Sequence, residues 1–273
     1  MVIRVAPRWA AIGLALVLQA VPGVVAGQSP AFHAELATSN TYYWRGIRRA
    51  GAGIEPAVAL GLVKAPLSIS VGGWAHRSFE DRHHSLDLDP DGLASAEESA
   101  WGSFDFAAPG WLITVGGIDT RYRPRESPAR QVGELFGRIE WLSSMLSPSV
   151  AVWRGLNAGR GTYIEARLQR IIANPLLGPG VNVVLGVRGG WAERTKALLD
   201  PSDIEIARNG VTHVAVNLAL RASIPVWKID ARPSLEPVFQ CTERLRGGFG
   251  HRGGCAARLE LGLGVSAPMR RRP

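Results

Sequence analysis

Residues 134–141 read Glu-Leu-Phe-Gly-Arg-Ile-Glu-Trp, and two kinds of side chain alternate along them. The odd positions are aliphatic, aromatic or glycine, whereas three of the four even positions are charged. Because neighbouring residues of an extended strand point to opposite faces of a sheet, this stretch predicts a β-strand with one apolar and one charged face. The same alternation recurs in residues 212–222, 227–239 and 256–265.

About a dozen runs of this type follow one another, and most end at Gly, Pro or charged residues. A β-strand that crosses a membrane at a tilt needs about 9–11 residues, which is the length of most of these runs. The predicted strands are 34–47, 54–63, 67–77, 99–107, 112–122, 133–142, 149–155, 162–171, 181–191, 212–222, 227–239 and 256–265.

The connections between the predicted strands tend to alternate in length, although those at 142–148 and 172–180 are somewhat long for turns. Those at 64–66, 108–110 and 223–225 are tight, whereas longer ones separate them, at 78–98, 123–132, 192–210 and 240–255. Short periplasmic turns and longer exterior loops are typical of outer-membrane barrels. If the first strand runs outward, strand parity places the four long connections at the cell surface.

Two β-folds are compatible with charged residues at every second position. A soluble sandwich keeps them in water around a dry core, and a membrane barrel keeps them in a polar lumen. Strand length, loop alternation and Trp near strand ends favour an all-β transmembrane antiparallel up-and-down β-barrel of about twelve strands. The Trp residues that suit interfacial girdles are Trp44, Trp74, Trp111, Trp141, Trp191 and Trp227.

The N-terminus carries an export signal in its sequence. Arg4 and Arg8 precede an apolar stretch that ends in Val24-Val25-Ala26, which has the small residues that a signal peptidase reads. A membrane anchor is the alternative, but the stretch is short and contains Pro22. We therefore predict a cleaved signal peptide over residues 1–26, a single barrel domain over residues 27–273 and an outer-membrane location.

Composition narrows the class of protein. Hydrophobic residues form 46% of the chain, yet no segment after the N-terminal stretch reaches the ~18 apolar residues of a transmembrane helix. The net charge of +8 suits contact with lipopolysaccharide and other outer-membrane lipid. No nucleic-acid-binding motif accompanies that charge, so nucleic acid is not an expected partner.

The charged faces of the strands predict the lining of the lumen. These groups need water or partners of opposite charge when they leave bulk solvent, so the lumen is either wet or filled by ion pairs. The predicted lining residues are Arg45, Glu134, Arg138, Glu140, Glu165, Arg167, Arg188, Arg221, Lys228, Asp230, Arg232, Glu236, Arg258 and Glu260.

Several segments resemble the TorF-type porin family of bacterial outer-membrane proteins, most of which have undefined functions. Residues 42–47 (Tyr-Tyr-Trp-Arg-Gly-Ile) are similar to its Tyr-x-Trp/Phe-Arg-Gly-Ile motif, and residues 72–75 to its Gly-x-Trp strand. Segments 133–136, 146–149 and 161–165 follow in the family's order. The resemblance implies a barrel and suggests transport, and it supplies no catalytic residues. The barrel-assembly machinery is the expected partner during biogenesis, as for outer-membrane strands in general.

One predicted exterior loop matches a calcium-binding template. Asp87, Asp89 and Asp91 alternate, Gly92 follows, and Glu98 comes six residues later. Hard Ca²⁺ prefers such carboxylate oxygens with a sharp Gly turn between them. A solvated acidic loop without metal explains the same residues, and no cofactor is required.

Cys241 and Cys255 are the only cysteines and fall in one predicted exterior loop. In an exported protein such a pair predicts a disulfide. Closing a loop of about 15 residues contributes on the order of 3 kcal/mol in the chain-entropy model.

Some outer-membrane barrels are lipid hydrolases with Ser and His at the rim. The candidates are His76, His83, His84, Ser78 and Ser85, without a Gly-x-Ser-x-Gly motif. We therefore predict no enzyme. The sequence favours a porin for small polar solutes with a mixed-charge lumen; the alternatives are a non-conducting barrel whose loops bind a ligand or Ca²⁺ and, third, a lipid hydrolase.

Overall fold

A computed structural model describes residues 29–40, 42–44, 47–50, 52–79, 94–124, 130–156, 161–173, 181–193, 210–222, 224–226, 229–242 and 254–268. The strands are β1 (Ser29–Ser39), β2 (Tyr42–Trp44), β3 (Ile47–Ala50), β4 (Gly53–Lys64), β5 (Leu67–Ser78), β6 (Ala94–Ala108), β7 (Trp111–Pro124), β8 (Arg130–Trp141), β9 (Ser149–Gly155), β10 (Thr162–Ala173), β11 (Val181–Ala192), β12 (Gly210–Ala222), β13 (Ile224–Val226), β14 (Ile229–Thr242) and β15 (Gly254–Pro268).

Twelve of these strands are long, and each pairs antiparallel with its neighbour in the chain. Two further pairings close the ring. β12 pairs with β14, past the short β13, and β1 pairs with β15. Every long strand therefore has a hydrogen-bonded partner on both sides, which leaves no open sheet edge among them. The fold is an antiparallel up-and-down β-barrel, as the alternation predicts.

The predicted strand boundaries agree with the structure to within a few residues, apart from two places. The first predicted strand runs to residue 47, but β1 ends at Ser39. Residues 42–44 instead pair locally with residues 47–50 in a separate two-stranded sheet. This pairing gives backbone N–H and C=O groups hydrogen-bond partners outside the barrel sheet. The strand predicted at 99–107 begins earlier, at Ala94, so Glu98 lies in β6 rather than in a loop.

The barrel places large apolar side chains on its outer surface. Val58, Phe104 and Leu135 are 54%, 59% and 53% exposed. The buried side chains are small or polar instead, and Glu97 and Thr120 are 0% and 1% exposed. This distribution is the reverse of that in a soluble sandwich, whose apolar faces pack together.

Glycines on the inner face make room for large side chains of neighbouring strands. A Cβ atom on Gly72 would lie 2.6 Å from Cζ2 of Trp101. A Cβ atom on Gly116 would lie 2.7 Å from Cζ of Phe136. These rings cover the glycine backbone, so glycine is required there by close approach.

Among the described residues, no helix is long and apolar enough to span a membrane.

Candidate functional site

The inner face of the barrel brings together the polar side chains that the strands bury. Alternate residues share that face, and antiparallel register sets which of them are neighbours. In one row Ser39 lies beside Gly53 and Gly53 beside Ser78; in the next, Ala37 lies beside Glu55. The candidate site is therefore built from several strands.

A first polar cluster joins β1, β4 and β5. The Ser39 hydroxyl donates to Oε1 of Glu55 at 2.6 Å, and Nδ1 of His76 lies 3.6 Å from the same oxygen. His76 is 1% exposed, and its register partner on β6 is the equally buried Glu97. Gly53 permits this packing, since a Cβ there would lie 2.5 Å from Cε1 of His76.

Hydroxyl groups continue this polar lining across β5, β6 and β7. The hydroxyls of Ser99 and Thr120 lie 2.9 Å apart. Further along β6, Ser68 and Thr114 both donate to the carboxylate of Asp105, at 3.1 Å and 2.7 Å. These bonds satisfy the polar atoms that the inner face removes from bulk water.

A second cluster joins β10 and β12. The Tyr163 hydroxyl donates to Oε2 of Glu165 at 3.1 Å, and Nε2 of His213 lies 4.0 Å from the same oxygen. The Tyr163 and His213 rings are nearly parallel, with centroids 6.4 Å apart. Between them on β11, Gly190 has no side chain to occupy the space, and a Cβ there would lie 2.5 Å from the Tyr163 hydroxyl.

Basic residues occupy the wall formed by β8, β10 and β11. Arg138 forms an ion pair with Glu140 two residues further along its own strand. Arg167 and Arg188 are direct register partners on β10 and β11. Both belong to the inner face, because Arg188 also pairs with the buried Ala215 of β12.

The predicted lining residues fall into three groups. Six of them lie at inner-face positions of described strands: Glu134, Arg138, Glu140, Glu165, Arg167 and Arg188. Six more hold inner-face register positions in strands described by their backbone: Arg221, Asp230, Arg232, Glu236, Arg258 and Glu260. Arg45 and Lys228 lie outside the described residues.

Aromatic side chains also lie on the inner face, beside the charged residues that the alternation predicts. Trp101, Phe136 and Trp153 share that face, and only Phe136 was placed there by the alternation along residues 134–141. Trp74, predicted for an interfacial girdle, also lies on the inner face, because its register partners are Ala57 and Ser99. The available signal was a Gly in the neighbouring strand opposite two of these rings, Gly72 beside Trp101 and Gly116 beside Phe136.

The girdle prediction is supported by other Trp residues. Trp111 and Trp141 are exposed on the outer face and stack with ring centroids 5.5 Å apart. Trp191 is also exposed on that face. Trp44 lies in β2, outside the barrel sheet, and Trp227 lies outside the described residues.

Ion pairs lie on the outer face near the ends of strands that lead into the longer connections. Arg77 donates to Glu98 at 2.6 Å. Arg154 donates to Glu193 at 3.1 Å, and Thr162 donates to the same carboxylate. Polar groups at this level mark one edge of the apolar band.

Only part of the predicted calcium loop lies within the described residues. Asp87, Asp89 and Asp91 lie outside the described residues, whereas Glu98 projects from β6 and binds Arg77. Within the described ranges, no group of three acidic, His or Cys side chains is arranged to hold a metal ion. The calcium site stays a prediction.

The cysteines lie at strand positions rather than in the exterior loop predicted from the sequence. Cys241 belongs to β14 and Cys255 to β15, where the two residues are direct register partners. Residues directly opposite in an antiparallel pair have Cβ atoms about 4.5–5.5 Å apart, which places two cysteines near bonding distance. The predicted disulfide is compatible with this register.

The fold and its distribution of side chains define a class of protein. A closed β-barrel satisfies its backbone hydrogen bonds internally, which is what hydrocarbon requires of a spanning structure. Its exposed apolar outer face and polar inner face are those of a transmembrane β-barrel, the type that crosses bacterial outer membranes. The chain is an outer-membrane β-barrel protein.

No protein-family model matches the sequence, and no curated protein matches it significantly. Solved structures with a similar fold include a protein from a study of in-meso crystallization of membrane proteins, with a TM-score of 0.47 and 9% identity over 89% of this chain and 85% of that one. An outer membrane channel from Pseudomonas putida F1 has a TM-score of 0.44 and 11% identity over 88% and 94%. Acinetobacter baumannii OccAB1 has a TM-score of 0.40 and 8% identity over 89% and 96%.

Proposed function

We propose that this protein is an outer-membrane channel for small polar solutes. The carrying observation is that several charged side chains of the inner face keep contact with solvent. Arg138, Glu140 and Glu165 retain 40%, 19% and 23% of their side-chain exposure. Charges of both signs in a dry interior would cost several kcal/mol each, so partial exposure supports a wet lumen.

The buried clusters bear on the size of the solutes that the proposed channel would pass. Glu97, His76 and Tyr163 are nearly inaccessible, and the hydroxyl of Ser39 is taken up by Glu55. We propose that the passage is narrow at the level of these clusters, because their side chains occupy part of the barrel interior. The proposed channel therefore admits small solutes and excludes large ones.

The resemblance to the TorF-type porin family belongs to the same proposal. Its best-placed segments lie in or beside the barrel wall, with residues 72–75 in β5 and 133–136 in β8. We further propose that lipopolysaccharide contacts the outer polar edge at Arg77 and Arg154, and that the barrel-assembly machinery inserts the chain.

Neither alternative function has comparable support. For the lipid hydrolase, His76 is buried against Glu55, and the Ser78 hydroxyl donates to the Ala52 carbonyl at 3.4 Å. His83, His84 and Ser85 lie outside the described residues. Conductance measurements distinguish the proposed channel from a non-conducting barrel.

Planar-bilayer recording of the refolded protein tests the proposal, with heat-modifiable gel mobility as proof of folding. We expect discrete conductance steps that shrink in Ala151→Trp, because Ala151 is buried on the inner face between Arg138 and Glu165. The matched control is Val152→Trp, whose side chain is on the outer face and should leave the conductance unchanged. Folded wild-type protein without conductance steps would contradict the proposal.

A further inference from the structure

A row of aromatic side chains crosses three neighbouring strands of the inner face. Phe136 of β8 is the direct register partner of Trp153 of β9, and Trp153 is the direct register partner of Tyr163 of β10. Because direct partners in an antiparallel pair share one face, Tyr163 lies on the inner face with Phe136 and Trp153. Neighbouring strands are about 5 Å apart, so this aromatic row extends over roughly 10 Å of the wall.

The rings of the aromatic row lie close to the wall. A Cβ atom on Gly116 of β7 would lie 2.7 Å from Cζ of Phe136, and one on Gly190 of β11 would lie 2.5 Å from the Tyr163 hydroxyl. Trp153 packs against Tyr163 with ring centroids 5.3 Å apart. Phe136 and Trp153 are nevertheless only half-buried. Part of each of these two rings therefore faces the lumen.

Hydrogen-bonding groups flank the aromatic row at the next inner-face positions. Arg138 lies two residues beyond Phe136 on β8. Glu165 lies two residues beyond Tyr163 on β10, and the Tyr163 hydroxyl donates to it at 3.1 Å. Arg138 and Glu165 are both register partners of Ala151, and their side chains keep 40% and 23% of their exposure. A ligand on the aromatic row can therefore reach a hydrogen-bond donor and an acceptor.

Hydroxyl groups continue the same register row on the other side of Phe136. The partner of Phe136 on β7 is Gly116, and the partner of Gly116 on β6 is Ser103. Ser103 in turn pairs with Ser70 of β5, and their hydroxyls lie 2.9 Å apart. Hydroxyls both donate and accept hydrogen bonds. The row therefore joins a flat apolar surface to groups of both kinds.

We propose that the aromatic row binds a neutral disaccharide on its way through the lumen. A pyranose ring carries apolar C–H groups on its faces, which pack on aromatic rings, and hydroxyls around its rim, which donate and accept hydrogen bonds. Aromatic surface with a few placed polar groups is typical of small-molecule sites. Arg138 forms an ion pair with Glu140, so its charge is already balanced, which favours a neutral ligand. This inference rests on the proposed channel function and deepens it by naming the class of solute.

Saturation-transfer-difference NMR of the wild-type barrel tests binding without reference to transport. The barrel is kept in a detergent that has no sugar headgroup. The probes are maltose, mannitol, which has hydroxyls but no ring, and benzoate, an aromatic anion. We expect saturation to reach the ring C–H protons of maltose and to be much weaker for the other two probes. No transfer to maltose, equal transfer to mannitol or stronger transfer to benzoate would each overturn the inference.

Substitutions in the aromatic row test whether its rings carry the binding. Trp153→Ala removes the central ring and should raise the Kd for maltose about two- to tenfold, the range expected for one aromatic contact. Trp153→Phe keeps a smaller ring and should bind with intermediate affinity. The matched control is Trp141→Ala, because Trp141 is exposed on the outer face.

Phe136→Leu provides a second variant in case Trp153→Ala does not fold, as judged by heat-modifiable gel mobility. It keeps an apolar side chain but loses the flat face, so it should raise the Kd for maltose in the same range. An unchanged Kd for maltose in the folded inner-face variants overturns the inference.

Planar-bilayer recording with and without maltose separates this inference from the channel proposal. We expect maltose to reduce the ionic current through the wild-type protein, and to reduce it less in Trp153→Ala. Conductance that maltose does not change, together with no saturation transfer, would leave the channel proposal standing and refute the saccharide site. Saturation transfer to maltose on a folded barrel that does not conduct would do the reverse.

Discussion

Replacing Gly72 by alanine tests whether the inner face is built by close approach between strands. The new Cβ would lie 2.6 Å from Cζ2 of Trp101 and 2.7 Å from the backbone oxygen of Val58. The indole must retreat to at least 3.4 Å for an ordinary contact, and the backbone oxygen cannot rotate away. Overpacking of this kind costs about 1–3 kcal/mol.

Gly73→Ala is the matched control in the same strand. Its Cβ would point to the outer face, and its nearest neighbour would be the Ser99 carbonyl oxygen at an ordinary 3.5 Å. Both substitutions gain about 0.5–1 kcal/mol from replacing glycine within a strand, so that gain cancels in the comparison. The free energy of unfolding should therefore be lower for Gly72→Ala than for Gly73→Ala by about 1–3 kcal/mol.

Urea unfolding from lipid vesicles, followed by Trp fluorescence and heat-modifiable mobility, measures this difference. With a slope of about 2 kcal/mol per molar urea, the two midpoints should differ by about 0.5–1.5 M. Trp101→Phe in the Gly72→Ala background should recover part of the loss, because the smaller ring relieves one of the two contacts. Coincident midpoints for the two alanine variants would refute the reasoning.

Three further predictions concern the disulfide, the outer face and the lumen. Cys241 and Cys255 should be protected from alkylation until reductant is added, and replacing both by Ser should cost at most about 3 kcal/mol; complete alkylation of the unreduced barrel would exclude the bridge. Leu135→Arg should lower the free energy of unfolding of the barrel in lipid vesicles by about 2–4 kcal/mol, whereas Leu135→Phe should not. Equal stabilities of the two variants would mean that this face does not contact lipid. Asp105→Ala should cost about 1–3 kcal/mol in urea unfolding because two hydroxyls lose their acceptor, and Asp105→Asn should cost less; the opposite order would contradict the hydrogen bonds described.

The strand pattern was predictable because it depends on local alternation. Residues 149–155 were predicted as a strand with the bounds that β9 has, and both faces of β8 are those expected from its sequence. The outward Trp111 and Trp141 likewise follow from their position at strand ends. Trp74 was assigned to the wrong face, because a Trp at a strand end suits a girdle and a lumen equally well until the register is known.

Local alternation by itself predicted the strands, their two faces and a set of charged residues for the lumen, since a period of two needs no knowledge of distant contacts. Closure of the ring through β12 and β14 was decided only in three dimensions, as was the union of Ser39, Glu55 and His76 into one cluster. The tertiary structure also decided that Arg167 pairs in register with Arg188, and Cys241 with Cys255. Register between strands depends on how neighbouring strands align, so shifting one strand by two residues would keep every face and change every partner.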